Sequence, residues 1–245
     1  MRKSQLIYQY IREQGAVSKQ DIVIGLGLSL PTITQNLNNL AELGLIDTSK
    51  KISNTGGRNA TAYSYIEKAR YAVGLYLNRH HINCVAVDLS GNVISLIRVR
   101  ENFDLNDDNY LRKIGETVEE VKKDTGLPDD RFLGVGIAVQ GLISDDGERV
   151  TYGLTLNFTG VTRADIAKYI PYHNRLFHDS AAAGYAEVWD RNDLDDAFYL
   201  SLSNSVGGAV IVANKIFEGE RRKSGEIGHM TIIPKAGDRC YCGQR

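Results

Sequence analysis

The chain has 245 residues, of which 42% are hydrophobic and 24% are charged, and its formal net charge is −1. This length fits one large domain or two smaller ones with buried cores, and the composition predicts a soluble globular protein. Neither a signal peptide nor an apolar run long enough to cross a membrane is apparent, so membrane partners are excluded and a cytoplasmic location is expected. Three cysteines, an odd number, argue against a disulfide framework.

The first 65 residues are more basic than the rest of the chain. They hold seven lysines and arginines and four acidic residues, a net charge of +3, so the remaining residues sum to −4. A small basic segment joined to an acidic body is typical of proteins that contact a polyanion through their N-terminus.

Apolar spacing and capping signals predict two helices at the start of the chain. Residues 3–14 form an amphipathic pattern that ends at Gly15. Ser18 and Asp21 are spaced as in a capping box, which predicts a second helix over residues 19–25.

A third helix is expected after a turn over residues 25–28. Ser29 is its predicted N-cap, and Pro31 falls in the first turn, where its missing N–H does no harm. The predicted buried stripe is Ile33, Leu37 and Leu40. Two short helices joined by a tight turn predict a helix-turn-helix, although a solvated helix face is the alternative. The expected DNA-binding residues of this helix, whose polar members can hydrogen-bond base edges, are Ser29, Pro31, Thr32, Gln35, Asn36 and Asn39.

A β-hairpin wing is expected next. Two strand-like segments, residues 47–52 and 60–66, flank a small flexible tip. Arg58 lies beside two glycines in that tip and could enter a narrow minor groove, so we expect it to bind DNA; a simple linker is the alternative. Residues 1–66 are therefore predicted to form a winged helix-turn-helix DNA-binding domain.

The remaining residues predict an α/β body of two lobes. The first lobe, about 70–174, has three strands, a helix and a further strand, which is typical of a ribonuclease H type lobe. The predicted elements are strands over 71–77, 82–89 and 93–99, a helix over 110–123 and a strand over 133–139. The second lobe begins near residue 175. Its predicted elements are a strand over 175–177, a helix from Asp179, strands over 197–203 and 209–213, and a turn over 203–208.

His229, Cys240 and Cys242 near the end of the sequence form a candidate metal site. One imidazole and two thiolates suit tetrahedral zinc, which needs a fourth ligand. That ligand is not apparent, because Cys84 lies in an apolar run and is expected to be buried. A frayed terminus with an incidental Cys-x-Cys is the alternative.

The sequence resembles the ROK family (repressor, open reading frame, kinase), whose sugar repressors and sugar kinases share an actin-like fold of two lobes. The resemblance spans nearly the whole chain and is strongest at Gly225-Glu226-x-Gly228-His229, followed by Cys240-x-Cys242-Gly243. The predicted helix-turn-helix ahead of this region is similar to that of the family's repressor branch, rather than its kinase branch. Family members continue with a further Gly-Cys, so the resemblance implies that the second lobe, about 175–245, is incomplete.

Departures from the family pattern fall on the phosphate sites. Where kinases carry Asp-x-Gly-Gly-Thr, this sequence has residues 76–80, and Tyr76 replaces an acidic residue that helps to hold magnesium. A second glycine motif is replaced at residues 203–207. Side chains at glycine positions keep backbone N–H groups away from phosphates, so no ATP and no enzymatic activity are expected, although Arg79 could contact an anion.

The resemblance implies a sugar site that departs less from the family pattern than the phosphate sites do. Its expected sugar-binding residues are Asn157, His178, Asp179, Glu226 and His229. Asp179 matches the base of family kinases, although a helix N-cap is the alternative for it, and His178 replaces an asparagine. His229 matches a position that both faces the ligand and binds zinc.

These features together predict a DNA-binding transcriptional regulator, expected to be a repressor, whose ROK domain over residues 70–245 senses a sugar. A homodimer or higher oligomer is expected, because one module makes too few contacts for typical operator affinity. Two alternatives remain. One is a sugar kinase with Asp179 as its catalytic base, and the other is a DNA-binding protein whose sensor no longer binds sugar.

Overall fold

The computed structural model describes residues 2–52, 60–191, 194–203, 205–220, 222–240 and 242–243. The chain divides into two compact units, residues 1–70 and residues 71–245, each with its own buried core. Across the described parts of both units, no helix is long and apolar enough to cross a membrane.

Three helices begin the first unit: α1 (Lys3–Gln14), α2 (Lys19–Leu26) and α3 (Leu30–Glu42). The capping box of α2 forms as predicted, since the Ser18 hydroxyl accepts the Asp21 N–H at 3.2 Å and the Asp21 carboxylate accepts the Ser18 N–H at 2.8 Å. Helix α2 runs one residue beyond the predicted end, because the left-handed residue that stops it is Gly27 rather than Gly25.

The core of the first unit lies between these three helices. Its fully buried side chains include Ile7 and Ile11 of α1, Ile22 of α2, and Ile33 and Leu37 of α3. The predicted stripe of α3 is therefore the buried one. Gly25 allows α1 and α2 to pack closely, since a Cβ there would lie 2.4 Å from the Tyr10 hydroxyl.

Four short strands follow: β1 (Ile46–Asp47), β2 (Lys51–Ile52), β3 (Ala60–Thr61) and β4 (Ser64–Tyr65). β1 pairs with β4, and β2 pairs with β3, in both cases antiparallel. The predicted strand over 47–52 is interrupted because the Asp47 carboxylate turns back to accept both the N–H and the hydroxyl of Ser49, each at 2.9 Å. The predicted DNA contact of Arg58 lies outside the described residues.

The second unit is mixed α/β, as predicted. Its strands are β5 (Tyr71–Leu77), β6 (His81–Asp88), β7 (Val93–Arg100), β8 (Phe132–Val139), β9 (Leu142–Ile143), β10 (Val150–Tyr152), β11 (Asn174–His178), β12 (Ala197–Leu202), β13 (Val206–Val212) and β14 (Lys215–Phe217). Its helices are α4 (Asp108–Asp124), α5 (Arg163–Ile166) and α6 (Asp179–Asp190).

A five-stranded sheet with the order β11-β8-β5-β6-β7 organises the first lobe. β5, β6 and β7 are antiparallel neighbours, whereas β8 and β11 run parallel to β5. In register, Leu77 pairs with Val139 and Val139 pairs with His178. The carboxyl ends of three strands therefore meet at one edge of the sheet.

Helix α4 covers this sheet with a buried apolar face that includes Ile114, Val118 and Val121. A Cβ on Gly115 would lie 2.5 Å from the backbone oxygen of Tyr169, so the glycine permits a close approach to that segment. Cys84 is fully buried in this core, as predicted, and burial raises the pKa of its thiol to about 12.

The second lobe contains α6 packed on an antiparallel sheet with the order β12-β13-β14. The predicted turn over 203–208 is too long, because β13 begins at Val206 and its glycines pair with Ser201 and Leu200 of β12. The outer face of this sheet is apolar and accessible. Its exposed side chains are Phe198, Leu200, Leu202, Val206 and Phe217.

Candidate functional site

The outer surface of α3 carries most of the predicted DNA-binding residues. Ser29, Pro31, Gln35 and Asn39 are exposed, while Thr32 and Asn36 are half-buried. Ser29 occupies the N-cap position, but its hydroxyl bonds the Thr32 hydroxyl at 2.9 Å instead of a backbone N–H, so the predicted side-chain cap is wrong.

Asn36 and Asn39 lie on the side of α3 that faces α1. Both line a groove with Ser4 and Tyr8 of α1, and the Asn36 amide donates to the Thr32 carbonyl at 2.7 Å. Asn38, which the sequence analysis did not select, is exposed one turn beyond Gln35. Its i+3 spacing from Gln35 is the signal that could have identified it.

A polar cavity of about 50 Å³ lies in the second unit, at the sheet edge where β8 and β11 end. Its polar lining side chains are Gln140, Tyr152, Thr155, His178, Asp179, Ser180, Ser201, Ser205, Glu226 and His229. Four of the five predicted sugar-binding residues are therefore brought together. Asn157 is not among them; it is exposed at a left-handed position, φ +55°, on the turn whose residues Leu154 and Thr155 do line the cavity.

His178 links two carboxylates of this cavity. Its Nδ1 lies 3.0 Å from the Gly141 carbonyl oxygen and 3.5 Å from an Asp179 oxygen, and its Nε2 lies 3.5 Å from a Glu226 oxygen. A carbonyl oxygen can only accept, so the Nδ1 carries hydrogen and donates to Gly141. His178 therefore donates to the first lobe through Nδ1 and faces a carboxylate of the second lobe, Glu226, through Nε2.

Asp179 is the first residue of α6, and the N-cap position belongs to His178. One Asp179 oxygen accepts the Ser180 N–H at 2.8 Å. Burial raises the pKa of this carboxyl group, an effect that the neighbouring His178 opposes. Asp179 thus provides a largely buried acceptor at the cavity wall.

Tyr76, which the sequence analysis treated only as a lost magnesium ligand, also reaches this site. The Gln140 side chain, which lines the cavity, donates to its hydroxyl at 3.3 Å. Burial and the nearby Asp179 charge raise the pKa of Tyr76 to about 12, so the phenol remains a donor.

The predicted metal ligands converge beside the cavity. The ligand atoms of His229, Cys240 and Cys242 all lie within 4.8 Å of one another, and the three residues are half-buried. Two ligands of one tetrahedral zinc ion with ordinary Zn–S and Zn–N bonds lie about 3.6 Å apart. Since the Cys240 Sγ and the His229 Nδ1 are separated by 3.5 Å, the three residues fit zinc.

Glu226 supports this cluster from the cavity side. Its carboxylate lies 3.6 Å from the Nε2 of His229, the ring nitrogen opposite the one that faces Cys240. A carboxylate that binds the far nitrogen of a histidine fixes the ring orientation for metal binding. Glu226 therefore contacts the histidines of both the cavity and the metal cluster.

A comparison with protein families identifies the fold of this unit. The sequence profile of the ROK family matches residues 72–245, which include the sheet, the cavity and the metal cluster. The chain belongs to the ROK family. The ROK region therefore begins within one residue of the second compact unit.

Curated ROK relatives align with both units of the chain. The xylose repressor of Bacillus subtilis (strain 168) is 25% identical over 255 residues, which cover 98% of this chain and 62% of the relative. The DNA-binding transcriptional dual regulator NagC of Escherichia coli (strain K12) is 24% identical over 251 residues, covering 98% of this chain and 59% of NagC. The chain thus spans about three-fifths of the length of these relatives.

Solved ROK structures share the fold. A ROK family transcriptional regulator described as a homologue of the E. coli MLC protein superposes with a TM-score of 0.78 at 21% identity, covering 98% of this chain and 61% of its own. The ROK hexokinase of Thermus thermophilus gives a TM-score of 0.56 at 24% identity, covering 71% of this chain and 57% of its own. At these identities the likeness concerns the fold alone.

Proposed function

We propose that this chain is the DNA-binding and effector-binding part of a transcriptional repressor of carbohydrate-utilisation genes. The observation that carries the proposal is the pair α2 and α3, joined at the left-handed Gly27, with a polar exposed surface on the second helix. In a helix-turn-helix the N-terminal residues of the second helix contact base edges in the major groove. Residues 1–66 would then form a winged helix-turn-helix, with the β2–β3 ribbon and Arg58 as the wing.

Gln35 is the best placed of the α3 residues to read a base. It is exposed, and a glutamine amide can bond an adenine edge through two hydrogen bonds in the major groove. Ser29, Pro31 and Thr32 would approach the phosphate backbone or neighbouring bases from the start of the helix. Asn36 and Asn39 contribute less in this proposal, because they lie along the groove toward α1.

The cavity of the second unit is the proposed effector site. Asp179 and Glu226 supply acceptors, and His178 and His229 supply ring nitrogens within the same cavity. A sugar presents many hydroxyl groups, each of which can donate to such acceptors. His229 both lines the cavity and belongs to the metal cluster. Zinc held by His229, Cys240 and Cys242 would therefore fix the position of His229 at the cavity. The relatives named xylose repressor and NagC support this proposal.

Effector control requires a difference between two states of the protein. A sugar can release DNA only if it binds the DNA-free state more tightly than the DNA-bound state. We propose a homodimer, because a two-fold dimer reading a palindromic operator doubles the contacts of a single module.

The test is a binding titration with the DNA upstream of the protein's own gene. Gln35→Ala is expected to weaken binding by about 1–3 kcal/mol, as for the loss of one bidentate base contact. Gln14→Ala, an exposed glutamine at the end of α1, is the matched control and should leave affinity unchanged. Equal affinities for the wild type and Gln35→Ala would refute the assignment of α3.

A sugar kinase is the second candidate, because Asp179 is a half-buried carboxylate with a raised pKa at the cavity and ROK kinases share the fold. This candidate predicts ATP turnover that Asp179→Asn abolishes. Calorimetry with ATP at about 1 mM decides the matter, because no heat would exclude ordinary nucleotide affinity.

A further inference from the structure

Four basic side chains cluster on the face of the five-stranded sheet that α4 does not cover. They are His80, His81, Arg98 and Arg100, and together they form the β6–β7 basic surface. In register, Arg100 lies opposite His81, and Arg98 is one pair further along β7, opposite Asn83. Because Arg98 and Arg100 are two residues apart on one strand, their side chains leave the same face about 7 Å apart. Both arginines and His80 are exposed, and His81 is half-buried.

Backbone hydrogen bonds hold the two histidines in place. The Asn78 Oδ1 accepts the N–H groups of both His80 and His81, at 3.1 and 2.9 Å. The His80 carbonyl accepts the Glu101 N–H at 3.0 Å, which joins this turn to the end of β7. The basic surface therefore stands on hydrogen-bonded backbone at every position.

The two arginines of this surface have no acidic partner. Within the part of the chain that the structure describes, neither Arg98 nor Arg100 forms an ion pair. Arg98 instead donates to the His81 Nδ1 at 3.3 Å, a contact between two basic groups. A guanidinium can only donate, so the Nδ1 is the acceptor and the His81 Nε2 carries the hydrogen. By contrast, Arg112 of α4 pairs with Asp108 at 2.9 Å.

The electrostatic field at this surface is positive. Partial burial lowers the pKa of His81, and the charges of the other three members lower it further. Glu101, the acidic residue next to this surface in sequence, acts toward the opposite face. Burial and the charge of Glu101 raise the pKa of Tyr110, which lies buried on α4. Residues 66–245 sum to a net charge of −4, so the positive field is local to this surface.

The arrangement suits an extended anion. None of the four side chains lines the polar cavity, and their positions follow two paired strands. A DNA backbone carries one negative charge about every 3.4 Å of helix axis on each strand, so two arginines about 7 Å apart can each reach a phosphate. The guanidinium fork also matches two phosphate oxygens at once.

We propose that the β6–β7 basic surface is a second DNA-contacting surface of this chain, which binds the phosphate backbone without reading the base sequence. It extends the proposed DNA-binding function, because it lies in the ROK unit and not in the helix-turn-helix. Arg98 and Arg100 supply the charge, and the His81 Nε2 supplies a further donor. Phosphate contacts of this kind carry no sequence information.

The salt dependence of binding to duplex DNA of unrelated sequence tests the proposal. Each phosphate contact adds about one to the slope of log affinity against log salt concentration. Arg98→Gln combined with Arg100→Gln should therefore reduce the magnitude of the slope by about two and weaken binding at low salt about tenfold. An unchanged slope would refute the proposal.

Two further double variants separate local charge from fold and from net charge. Arg98→Lys with Arg100→Lys keeps both charges and should keep the wild-type slope; a loss equal to that of the glutamine pair would overturn the proposal. Arg112→Gln with Lys123→Gln removes the same charge from exposed positions of α4, on the opposite face of the sheet. This control should bind as the wild type does, and a slope reduced by about two would mean that net charge alone is responsible.

Arg100→Gln alone covers the case in which the glutamine pair disturbs folding, as judged by circular dichroism. Arg100 makes no side-chain hydrogen bond in the described part of the chain, so this change removes charge only. It should reduce the slope by about one. A folded Arg100→Gln with the wild-type slope would also refute the proposal.

Competition with poly-L-glutamate distinguishes DNA from an acidic protein partner. Poly-L-glutamate should displace the DNA only when its negative charge is in large excess. Displacement at equal concentrations of negative charge would assign the surface to an acidic protein and overturn the proposal.

The two DNA-binding proposals fail in different ways. Gln35→Ala should weaken binding to the upstream DNA alone, whereas the glutamine pair should weaken binding to both DNAs. If Gln35→Ala behaves so and the slope of the glutamine pair is unchanged, the helix-turn-helix stands and this inference falls. If the slope falls while Gln35→Ala has no effect, the basic surface stands and the assignment of α3 falls.

Discussion

The Cys240 Sγ and the His229 Nδ1 lie 3.5 Å apart, although the two residues are eleven positions apart in the sequence. This is the spacing of two ligands of one zinc ion, and Cys242 is close enough to be a third. The opposite nitrogen of His229 faces Glu226, so the metal cluster and the cavity share a side chain.

Zinc binding should depend on the thiolates of this cluster. We expect the wild-type chain to bind one zinc ion and Cys240→Ser to bind it more weakly, because a hydroxyl replaces a soft thiolate ligand. Competition with a chromogenic chelator measures the difference. Cys84→Ala, whose thiol is buried in the sheet core, is the control. Equal zinc affinities for Cys240→Ser and the wild type would refute the cluster.

Glu226→Gln should weaken zinc binding without removing a ligand. The glutamine amide is neutral, so it orients the His229 ring less strongly than the Glu226 carboxylate does and makes the ring a weaker ligand. Changes of this kind typically lower metal affinity by about tenfold to a hundredfold. The same competition assay applies. Glu218→Gln, in the same segment but paired with Arg222, should bind zinc as the wild type does.

Asn38→Ala should weaken operator binding more than Asn36→Ala. Asn38 is exposed one helical turn after the exposed Gln35, whereas the Asn36 amide already donates to the Thr32 carbonyl at 2.7 Å. Fluorescence anisotropy with labelled operator DNA compares the two changes, which remove the same side chain. A larger loss for Asn36→Ala would mean that the groove side of α3 faces DNA.

Gly115→Ala should destabilise the second unit despite the better helix propensity of alanine. The propensity gain is about 0.5–1 kcal/mol, but the new Cβ would lie 2.5 Å from the backbone oxygen of Tyr169. Such overpacking costs about 1–3 kcal/mol in the free energy of unfolding. Urea denaturation measures it, with the exposed Glu120→Ala on the same helix as the control. A stabilised Gly115→Ala would contradict the packing described for α4.

Asp108 should make stability depend on pH in the acid range. Hydrogen bonds from Lys168 and Tyr169 lower the pKa of its carboxyl group to about 2. A carboxyl group whose pKa is lowered by folding stabilises the folded state fully when the pH is above its pKa in the unfolded chain, about 3.9. This stabilisation is lost as the pH falls toward its pKa in the folded protein.

Asp108→Asn should therefore lower the melting temperature at pH 7, and its difference from the wild type should shrink between about pH 4 and about pH 2. Thermal denaturation followed by circular dichroism checks this. The exposed Asp130→Asn is the control. A difference that stays constant down to about pH 2 would exclude this role of Asp108.

The regular elements could be predicted because their patterns are local. The capping box of Ser18, the apolar stripe of α3 and the alternation in β5 each depend on residues close in sequence, and the structure contains all three. The two main errors also have local causes. The Asp47 side chain bends the first wing strand back on itself, and two glycines that look like a turn pair within β13 instead.

The cavity could be predicted only in part. The Glu226 and His229 motif and Asp179 are recognisable in the sequence, but their meeting with His178 depends on the parallel pairing of β8 and β11. Tyr76 and Gln140 could not be assigned to the site, because sixty-four positions separate them and only the register of β5 and β8 brings them together. Asn157 was predicted to bind sugar from the family resemblance alone, but it does not line the cavity.

The accessible apolar face of the β12–β14 sheet affects how the oligomeric state of this chain can be measured. Phe198, Leu202 and Phe217 present large apolar surfaces to solvent, and such a patch also promotes nonspecific association. A dimer seen by sedimentation could therefore arise from this face rather than from the proposed pairing of two α3 helices on one operator. Sedimentation with and without operator DNA at two sulfate concentrations separates the two, because sulfate strengthens apolar association, whereas added salt weakens association that depends on contacts with DNA phosphates.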